Sequence, residues 1–220
     1  MNRAKPVIAI LGGTGKEGPG LALRWASAGY TILIGSRQAE KAQATAQEIN
    51  QTLGIQTVQG YENAAAARQA EICVLTVVQA AHQEALNGLK EALQGKILVD
   101  ATARVDFRNP RPPEPPAAAR LAQELLGDGV RVVAAFQNVP AAALRKLDQP
   151  LHSDVLVCAD DLAAAEAVIQ LARDGGMQAY YAGGLDNAIV VEGLTALLIS
   201  LNKHYQTKTA SIRVAGLGEA

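Results

Sequence analysis

The chain has few of the features that mark disulfide-bonded, metal-binding or membrane-spanning proteins. Its two cysteines, Cys73 and Cys158, lie in strand-like apolar runs without a CxxC or Cys/His spacing, which favours buried, reduced thiols over a redox or metal site. No signal peptide precedes the first apolar run, and no run approaches the ~20 apolar residues that a membrane span needs. We therefore expect a cytoplasmic protein that binds no metal and does not cross a membrane.

An excess of charge of either sign is also missing. Lysine and arginine total 20 against 21 aspartate and glutamate residues, which gives a formal net charge of −1. Such a balance provides no broad attraction for nucleic acid or for an anionic membrane surface. We expect no nucleic-acid partner, and any basic binding site must be local.

Apolar runs of strand type alternate with segments of helical spacing through the first two thirds of the chain. VIAIL at 7–11 is followed by a glycine-rich segment at 12–18 and then by a helical pattern that starts near Lys16. This order predicts parallel strands with right-handed crossovers, which form a Rossmann-type, doubly wound α/β sheet. The other predicted strands are 31–35, 55–59, 71–78, 96–100 and 131–135, and the other predicted helices are 38–53, 62–69, 80–93 and 117–127.

The alternation breaks at DFRNPRPPEPP, residues 106–116, where five prolines exclude helix and central strand alike. We expect an ordered loop rather than a linker, because the strand pattern resumes at 131–135. We divide the chain into a dinucleotide-binding domain, residues 1–150, and a small C-terminal α/β part, residues 151–220.

The C-terminal part begins with one more strand, helix and strand, predicted at 155–159, 161–174 and 177–183. This unit either extends the sheet or forms a small lobe. A helix predicted at 187–202 is apolar on nearly every face, which is typical of a helix covered by a second subunit or by a bound ligand. We expect a homodimer.

The turn after the first strand has the spacing of a dinucleotide-binding loop. In the G-x-G-x-x-G pattern the first glycine permits a tight turn, the second lets the backbone approach a pyrophosphate, and the third permits close packing of helix on strand. The free N–H groups of the following helix then face the phosphates. A magnesium-binding phosphate loop is disfavoured, because an acid follows the lysine where serine or threonine should hold the metal. The residues are Gly13, Thr14, Gly15, Lys16, Glu17 and Gly18.

The second strand ends in residues that suit NADP rather than NAD. In this fold an acid at that position reads the ribose 2′-hydroxyl of NAD, whereas a nearby arginine accommodates the 2′-phosphate of NADP. Here Ser36 can donate a hydrogen bond, Arg37 can pair with the phosphate, and Lys41 adds a charge from the first turn of the next helix. The alternative is that Arg37 and Lys41 belong to a solvated helix start.

Groups for proton relay or nucleophilic chemistry are not apparent. No tyrosine has a lysine four residues on, and His82, His152 and His204 have no carboxylate at short spacing, so we expect surface or structural histidines. Ser/His/Asp and metal-ligand patterns are also missing. A site without a proton donor points to an acceptor that takes hydride itself, such as a flavin or deazaflavin ring.

Four blocks of the sequence resemble the NADPH-dependent F420 reductases, also called F420-dependent NADP oxidoreductases. The blocks are LGGTGKEGPGLALRWASAGYTILIGSRQAEKA, VVAAFQNVPAAAL, DVLVCADD and VVEGLTALLISLNKHYQTKTASIRVAGL. The resemblance implies hydride transfer between NADP(H) and the deazaflavin coenzyme F420, with the C-terminal helix and tail completing the deazaflavin site and the dimer interface. By resemblance, NADP is held by Thr14 to Glu17, Ser36, Arg37, Lys41, Val77, Ala81, Ala103 and Ala141, and a backbone contact to the deazaflavin falls at Ala210.

The sequence departs from the archaeal members of that family at two positions. Gln137 stands where archaeal members carry a histidine, and Gly193 replaces a serine one turn from the retained Thr195. Gln137 and Asn138 can donate hydrogen bonds to the carbonyls of a ring, or else they cap the end of the strand at 131–135. We therefore count Gln137, Asn138, Thr195 and Ala210 as substrate-binding residues. The alternatives are an NADPH-dependent flavin or ferric reductase and a non-catalytic NADP(H)-sensing protein.

Overall fold

The computed structural model of the protein describes residues 5–217 and contains one eight-stranded sheet with helices on both faces. The strands are β1 (Ile8–Leu11), β2 (Ile32–Ser36), β3 (Val58–Glu62), β4 (Ile72–Leu75), β5 (Ile97–Asp100), β6 (Arg131–Ala134), β7 (Val155–Ala159) and β8 (Ala179–Tyr181). The helices are α1 (Gly18–Ser27), α2 (Ala39–Leu53), α3 (Asn63–Gln69), α4 (Gln79–Leu89), α5 (Ala118–Leu126), α6 (Ala141–Leu144), α7 (Leu162–Asp174) and α8 (Ala188–His204), and a short 3₁₀ helix spans Leu185–Asn187.

The strand order is β3-β2-β1-β4-β5-β6-β7-β8, and the first six strands run parallel. β1 pairs with β2 on one side and with β4 on the other, so the chain reverses its winding direction at β1. This arrangement confirms the doubly wound sheet. β7 pairs antiparallel with β6, and β8 pairs parallel with β7, so the C-terminal unit extends the sheet rather than forming a separate lobe.

Both faces of the central strands are buried, which explains their continuous apolar sequences. Ile8 and Ile10 belong to one core cluster and Ala9 and Leu11 to the other, because successive side chains of a strand point to opposite faces. The sheet thus separates two apolar layers.

Predicted and observed boundaries differ most at β3, which was expected at 55–59 and lies at Val58–Glu62. Gly54 ends α2 in the left-handed conformation, at φ +67°, and the side chain of Asn50 then bonds both the N–H and the carbonyl of Val58. The residues between Gly54 and Val58 therefore form a turn instead of a strand. α6 was not predicted, and β4 ends at Leu75 rather than at residue 78.

Two side chains of α1 fasten it to segments that are distant in sequence. Arg24 is buried, and its guanidinium donates hydrogen bonds to the carbonyls of Leu144 at 2.9 Å, Lys146 at 2.9 Å and Gly175 at 3.3 Å. Trp25 donates from Nε1 to the carbonyl of Leu171 at 2.9 Å. The glycine-loop helix is therefore fixed to α7 as well as to the sheet.

The long C-terminal helix is only partly covered in a single chain. Leu185–His204 is 20 residues long with a mean hydropathy of 1.3, enough to cross a membrane by length and composition. The expectation that no segment reaches this length is wrong, but a core helix of a globular protein passes the same test. The face of α8 that carries Glu192, which is 1% exposed, packs against the rest of the protein. The opposite side exposes large apolar side chains to solvent: Val190, Leu197 and Leu201, together with Tyr205 just after the helix.

Candidate cofactor and hydride-transfer site

A cavity of about 480 Å³ opens where β1, β2 and β4 end. It lies at the point where the winding of the sheet reverses, the usual ligand-binding position of a doubly wound fold. Seven of the predicted residues line this cavity: Thr14, Gly15, Ser36, Arg37, Lys41, Val77 and Ala81. The structure therefore brings together residues from three separate parts of the chain.

The glycine loop folds tightly against its own strand and helix. A Cβ at Gly13 would lie 2.6 Å from the carbonyl oxygen of Ile10, and one at Gly18 would lie 2.6 Å from Cα of Gly13. At Gly15 the nearest protein atom would be 3.6 Å away, so only a ligand could require a glycine there. The loop is followed by α1, which begins at Gly18 rather than near Lys16, with Pro19 in its first turn.

Glu17 has an unusual environment for an acid. Its Oε1 is buried and has no hydrogen-bond partner among residues 5–217. Burial raises the pKa of this carboxyl from 4.5 to about 8, so the group is mostly neutral at pH 7. A neutral carboxyl adds no repulsion to a loop that faces phosphates.

The end of β2 presents two free positive charges to the cavity. Arg37 and Lys41 are exposed, and neither forms an ion pair with any residue of the described part of the chain. Ser36 is buried and accepts a hydrogen bond from the N–H of Gln38 at 3.2 Å, which leaves its hydroxyl proton available to a ligand. This geometry suits a phosphate group.

The predicted acceptor residues follow β6 and meet α8. The Nδ2 of Asn138 donates to the carbonyl of Val191 at 2.9 Å and to Oγ1 of Thr195 at 3.1 Å, and Nε2 of Gln137 donates to the carbonyl of Asp100 at 2.9 Å. Both amide nitrogens that we expected to donate to a ring are thus engaged within the protein. The atoms left buried without a partner are acceptors, Oε1 of Gln137 and Oδ1 of Asn138.

A strained residue positions this pair. Phe136 has φ +75°, a left-handed conformation that is unfavourable for any residue with a Cβ. Its ring packs edge-on against Trp25, with 5.6 Å between the ring centroids. The packing holds the turn that directs Gln137 and Asn138 toward α8.

Ten of the seventeen predicted residues do not line the cavity, and four of these lie away from the elements described so far or at the surface. Ala103 lies in the loop after β5, and Ala141 is the first residue of α6. The N–H of Ala210 donates to Oδ1 of Asn202 at 3.0 Å, so this predicted contact atom is bonded within the chain. Lys16 is exposed at the surface of the glycine loop.

The sequence did not reveal that one histidine has a carboxylate partner. His82 is buried, and its Nε2 lies 2.6 Å from Oδ2 of Asp100. Of the two expectations, a surface or a structural histidine, the surface one is wrong for His82 because the residue is buried. The two are 18 residues apart in the chain, but α4 directly follows β4, and β4 is the neighbour of β5. The expected pairing of β4 with β5 was therefore the one feature of the sequence that could have predicted this contact.

Metal and thiol chemistry find no support in the described residues. Within residues 5–217 there is no group of three or more His, Cys, Asp or Glu side chains that could hold a metal ion. Cys73 and Cys158 are free and buried, and burial raises their pKa values to about 12 and about 11. Both thiols are therefore protonated and unreactive at neutral pH.

The doubly wound sheet, the glycine turn and the basic end of β2 define a dinucleotide-binding protein of the Rossmann class. Residues 7–104 match the family described as NADP oxidoreductase, coenzyme F420-dependent. The chain is 41% identical to the F420-dependent NADP reductase of Methanothermobacter marburgensis, over 96% of this chain and 99% of that protein. The protein belongs to the family of F420-dependent NADP reductases.

One solved structure and one further curated protein are also similar to the chain. A solved structure from Arthrobacter sp. FB24, described as an F420-dependent NADP reductase, has a TM-score of 0.79 and 27% identity, and covers 96% of this chain and 100% of that chain. Rat metalloreductase STEAP3 is 28% identical over 88% of this chain but only 37% of its own length. The confirmed expectations are the Rossmann fold and the family.

Proposed function

We propose that the protein transfers a hydride between NADP(H) and coenzyme F420. The observation that carries this proposal is the cavity that joins the glycine loop to Ser36, Arg37 and Lys41, in a chain that belongs to this family. The loop would hold the pyrophosphate and the basic end of β2 the 2′-phosphate. The nicotinamide and the deazaflavin supply the redox chemistry, and the protein aligns the two rings.

We assign the acceptor ring to the carboxyl ends of β5 and β6, near Gln137, Asn138, Thr195 and Ala210. Buried oxygens without partners support this assignment, because a ring N–H can satisfy them. In this proposal residues 1–150 bind NADP, and residues 151–220, with α8 and the tail, complete the acceptor site. Ala103 and Ala141 would contact only a part of NADP that extends outside the cavity.

The direct test is an assay in which NADPH is mixed separately with F420, FMN and FAD, with the absorbance of each acceptor followed. Rapid reduction of F420 and slow reduction of the two flavins is the expected result. NADH in place of NADPH serves as the cofactor control. Reduction of flavins alone would reject F420 as the substrate.

A second candidate is an NADPH-dependent flavin or ferric reductase. It is favoured by the similarity to the metalloreductase STEAP3 and by Gln137, which stands where a histidine was expected from archaeal members. Adding ferric citrate with and without FMN to the same assay tests it. Iron reduction faster than F420 reduction would favour this second function.

We also propose a cytoplasmic homodimer that uses the exposed face of α8. Leu197 is 56% exposed and Tyr205 is 69% exposed, which is a poor arrangement for an apolar helix in water. A second copy of the same face would bury both. Light scattering should show that Leu197→Glu converts the dimer to a monomer. Leu162→Glu, which changes an exposed leucine on α7, should leave the dimer intact. A wild-type protein that is monomeric in solution would reject the proposed dimer.

A further inference from the structure

The His82–Asp100 pair is the feature that the proposed function leaves unused. Its two side chains are nearly inaccessible, 9% exposed for His82 and 0% for Asp100. Asp100 is held in place from two sides, because its Oδ1 accepts from the N–H of Thr102 at 3.0 Å and its carbonyl accepts from Gln137. Asp100 therefore fixes the orientation of the imidazole.

The charged groups that act on His82 come from three elements. Burial lowers the pKa of His82, but the hydrogen bond and the charge of Asp100 raise it by more, Glu192 on α8 raises it further, and Arg104 lowers it. The net effect is a raised pKa. Among the described residues no group bonds to the other ring nitrogen, Nδ1, so this nitrogen is free to exchange a proton.

The pair is connected to residues of both halves of the proposed site. On one side Ala81, the residue before His82 on α4, lines the NADP cavity. On the other side Asp100 is bonded to Gln137, and Asn138 is bonded to Thr195 on α8. His82 is thus the one histidine within the described chain that connects to both groups of residues.

Hydride transfer to a deazaflavin leaves a charge to be balanced. NADPH gives two electrons and one hydrogen nucleus, and the acceptor then takes one proton to become its neutral reduced form. We propose that His82, oriented by Asp100, holds that proton: the imidazolium N–H bond breaks as the acceptor gains its N–H bond, and the imidazole regains a proton from solvent. In the reverse direction the neutral imidazole accepts the proton. This inference rests on the proposed function.

Two acidic neighbours explain why a buried imidazole can hold a proton. A buried imidazolium is costly unless an opposite charge is near. Asp100 supplies that charge directly, and Glu192 supplies a second one, which Arg104 partly offsets through its ion pair at 2.9 Å. The charges around His82 therefore favour the protonated imidazolium over the neutral imidazole.

The first measurement is independent of activity. The imidazole of His82 is followed by NMR across a pH titration, in the wild type, in Asp100→Asn and in His204→Gln, which removes an exposed histidine at the end of α8. We expect the titration of His82 at a pH above that of an ordinary histidine, moved to lower pH in Asp100→Asn and unchanged in His204→Gln. A titration of His82 that does not respond to Asp100→Asn overturns the inference.

The second measurement uses both directions of the reaction. The rate of F420 reduction by NADPH should fall as pH rises through the titration of His82, and the rate of NADP reduction by reduced F420 should rise over the same range. His82→Gln should remove both slopes and slow F420 reduction by about 100-fold at low pH, with NADPH affinity retained. His204→Gln should keep the wild-type profiles.

The outcomes separate the inference from the function on which it rests. If His82→Gln has the wild-type profiles while the enzyme is active, the pair is only a structural ion pair and the inference is overturned. If the wild type reduces no F420 at any pH, the proposed function itself fails, and the inference fails with it even where His82 titrates as expected.

Discussion

Glu192 on α8 accepts two hydrogen bonds from Arg104, one from its backbone N–H at 2.7 Å and one from Nε at 2.9 Å. The second oxygen of the same carboxylate accepts from the N–H of Ala118 at 2.9 Å. Arg104 in turn donates to the carbonyl of Glu114 at 2.8 Å. A single buried carboxylate thus joins α8 to the start of α5 and, through Arg104, to the proline-rich loop.

Removal of this carboxylate should destabilise the protein strongly. We expect Glu192→Ala to lower the free energy of unfolding by on the order of 3 kcal/mol, because it leaves Arg104 and two backbone N–H groups without their acceptor. Urea unfolding measures the change. Glu166→Ala, at an exposed position on α7, is the matched control, and an equal effect of both substitutions would contradict the assignment.

Arg37→Ala should weaken the use of NADPH but not of NADH. Loss of a charge-assisted contact to phosphate costs about 1.5–3 kcal/mol, which corresponds to a roughly 10- to 100-fold higher KM. Steady-state kinetics with the two cofactors measures the difference. Arg68→Ala, an exposed arginine on α3 outside the cavity, should change neither KM. If Arg37→Ala affects both cofactors equally, the 2′-phosphate assignment fails.

Substitution of Gly15 by valine should abolish NADPH binding without affecting folding. A Cβ there would lie in ordinary contact with the carbonyl oxygens of Gly12 at 3.6 Å and Thr76 at 3.9 Å, so Gly15→Val should fold and melt like the wild type. It should nevertheless lose NADPH binding in calorimetry, because the side chain would occupy the pyrophosphate position. Gly13→Ala is the opposite case, since its Cβ would lie 2.6 Å from a backbone oxygen and should lower the melting temperature. Normal NADPH binding by Gly15→Val would show that the loop does not hold the pyrophosphate.

Glu17 should make the stability of the cofactor-free protein depend on pH. The folded state binds a proton at Glu17 more tightly than the unfolded state, with a pKa of about 8 against 4.5. Stability from this group is therefore present at low pH and is lost as pH rises from about 4.5 through about 8. Glu17→Gln should flatten the decline of melting temperature over this range, and Glu40→Gln, exposed on α2, should not. Identical declines in all three proteins would mean that Glu17 ionises normally.

Features that depend on residues close together in the sequence could be predicted, and features that depend on distant residues could not. The glycine loop, Ser36, Arg37 and Lys41 lie within one strand-helix-strand unit, and their spacing in the chain fixes their spacing in the fold. The meeting of these residues around one cavity was predictable for this reason. The parallel direction of the first six strands followed in the same way from the alternation of strand and helix.

The side-chain contacts around the proposed acceptor site could not be predicted from the sequence. His82 and Asp100 meet because two neighbouring strands end at one edge, and Glu192 meets Arg104 across 88 residues. Phe136 has φ +75° and its ring packs on Trp25, and no local sequence pattern predicts either feature. The antiparallel pairing of β7 was equally invisible, since apolar strands look alike whichever direction they run.

The anchoring of α1 has a consequence for how the chain can be divided. A protein cut after residue 150 would keep the whole glycine loop, but Arg24 and Trp25 would lose the carbonyls of Gly175 and Leu171. The buried guanidinium would then lack one of its acceptors, and the indole N–H would lack the one acceptor that α7 provides. The nucleotide-binding half is therefore not a transplantable module: its first helix is completed by residues that the ribosome adds more than a hundred positions later.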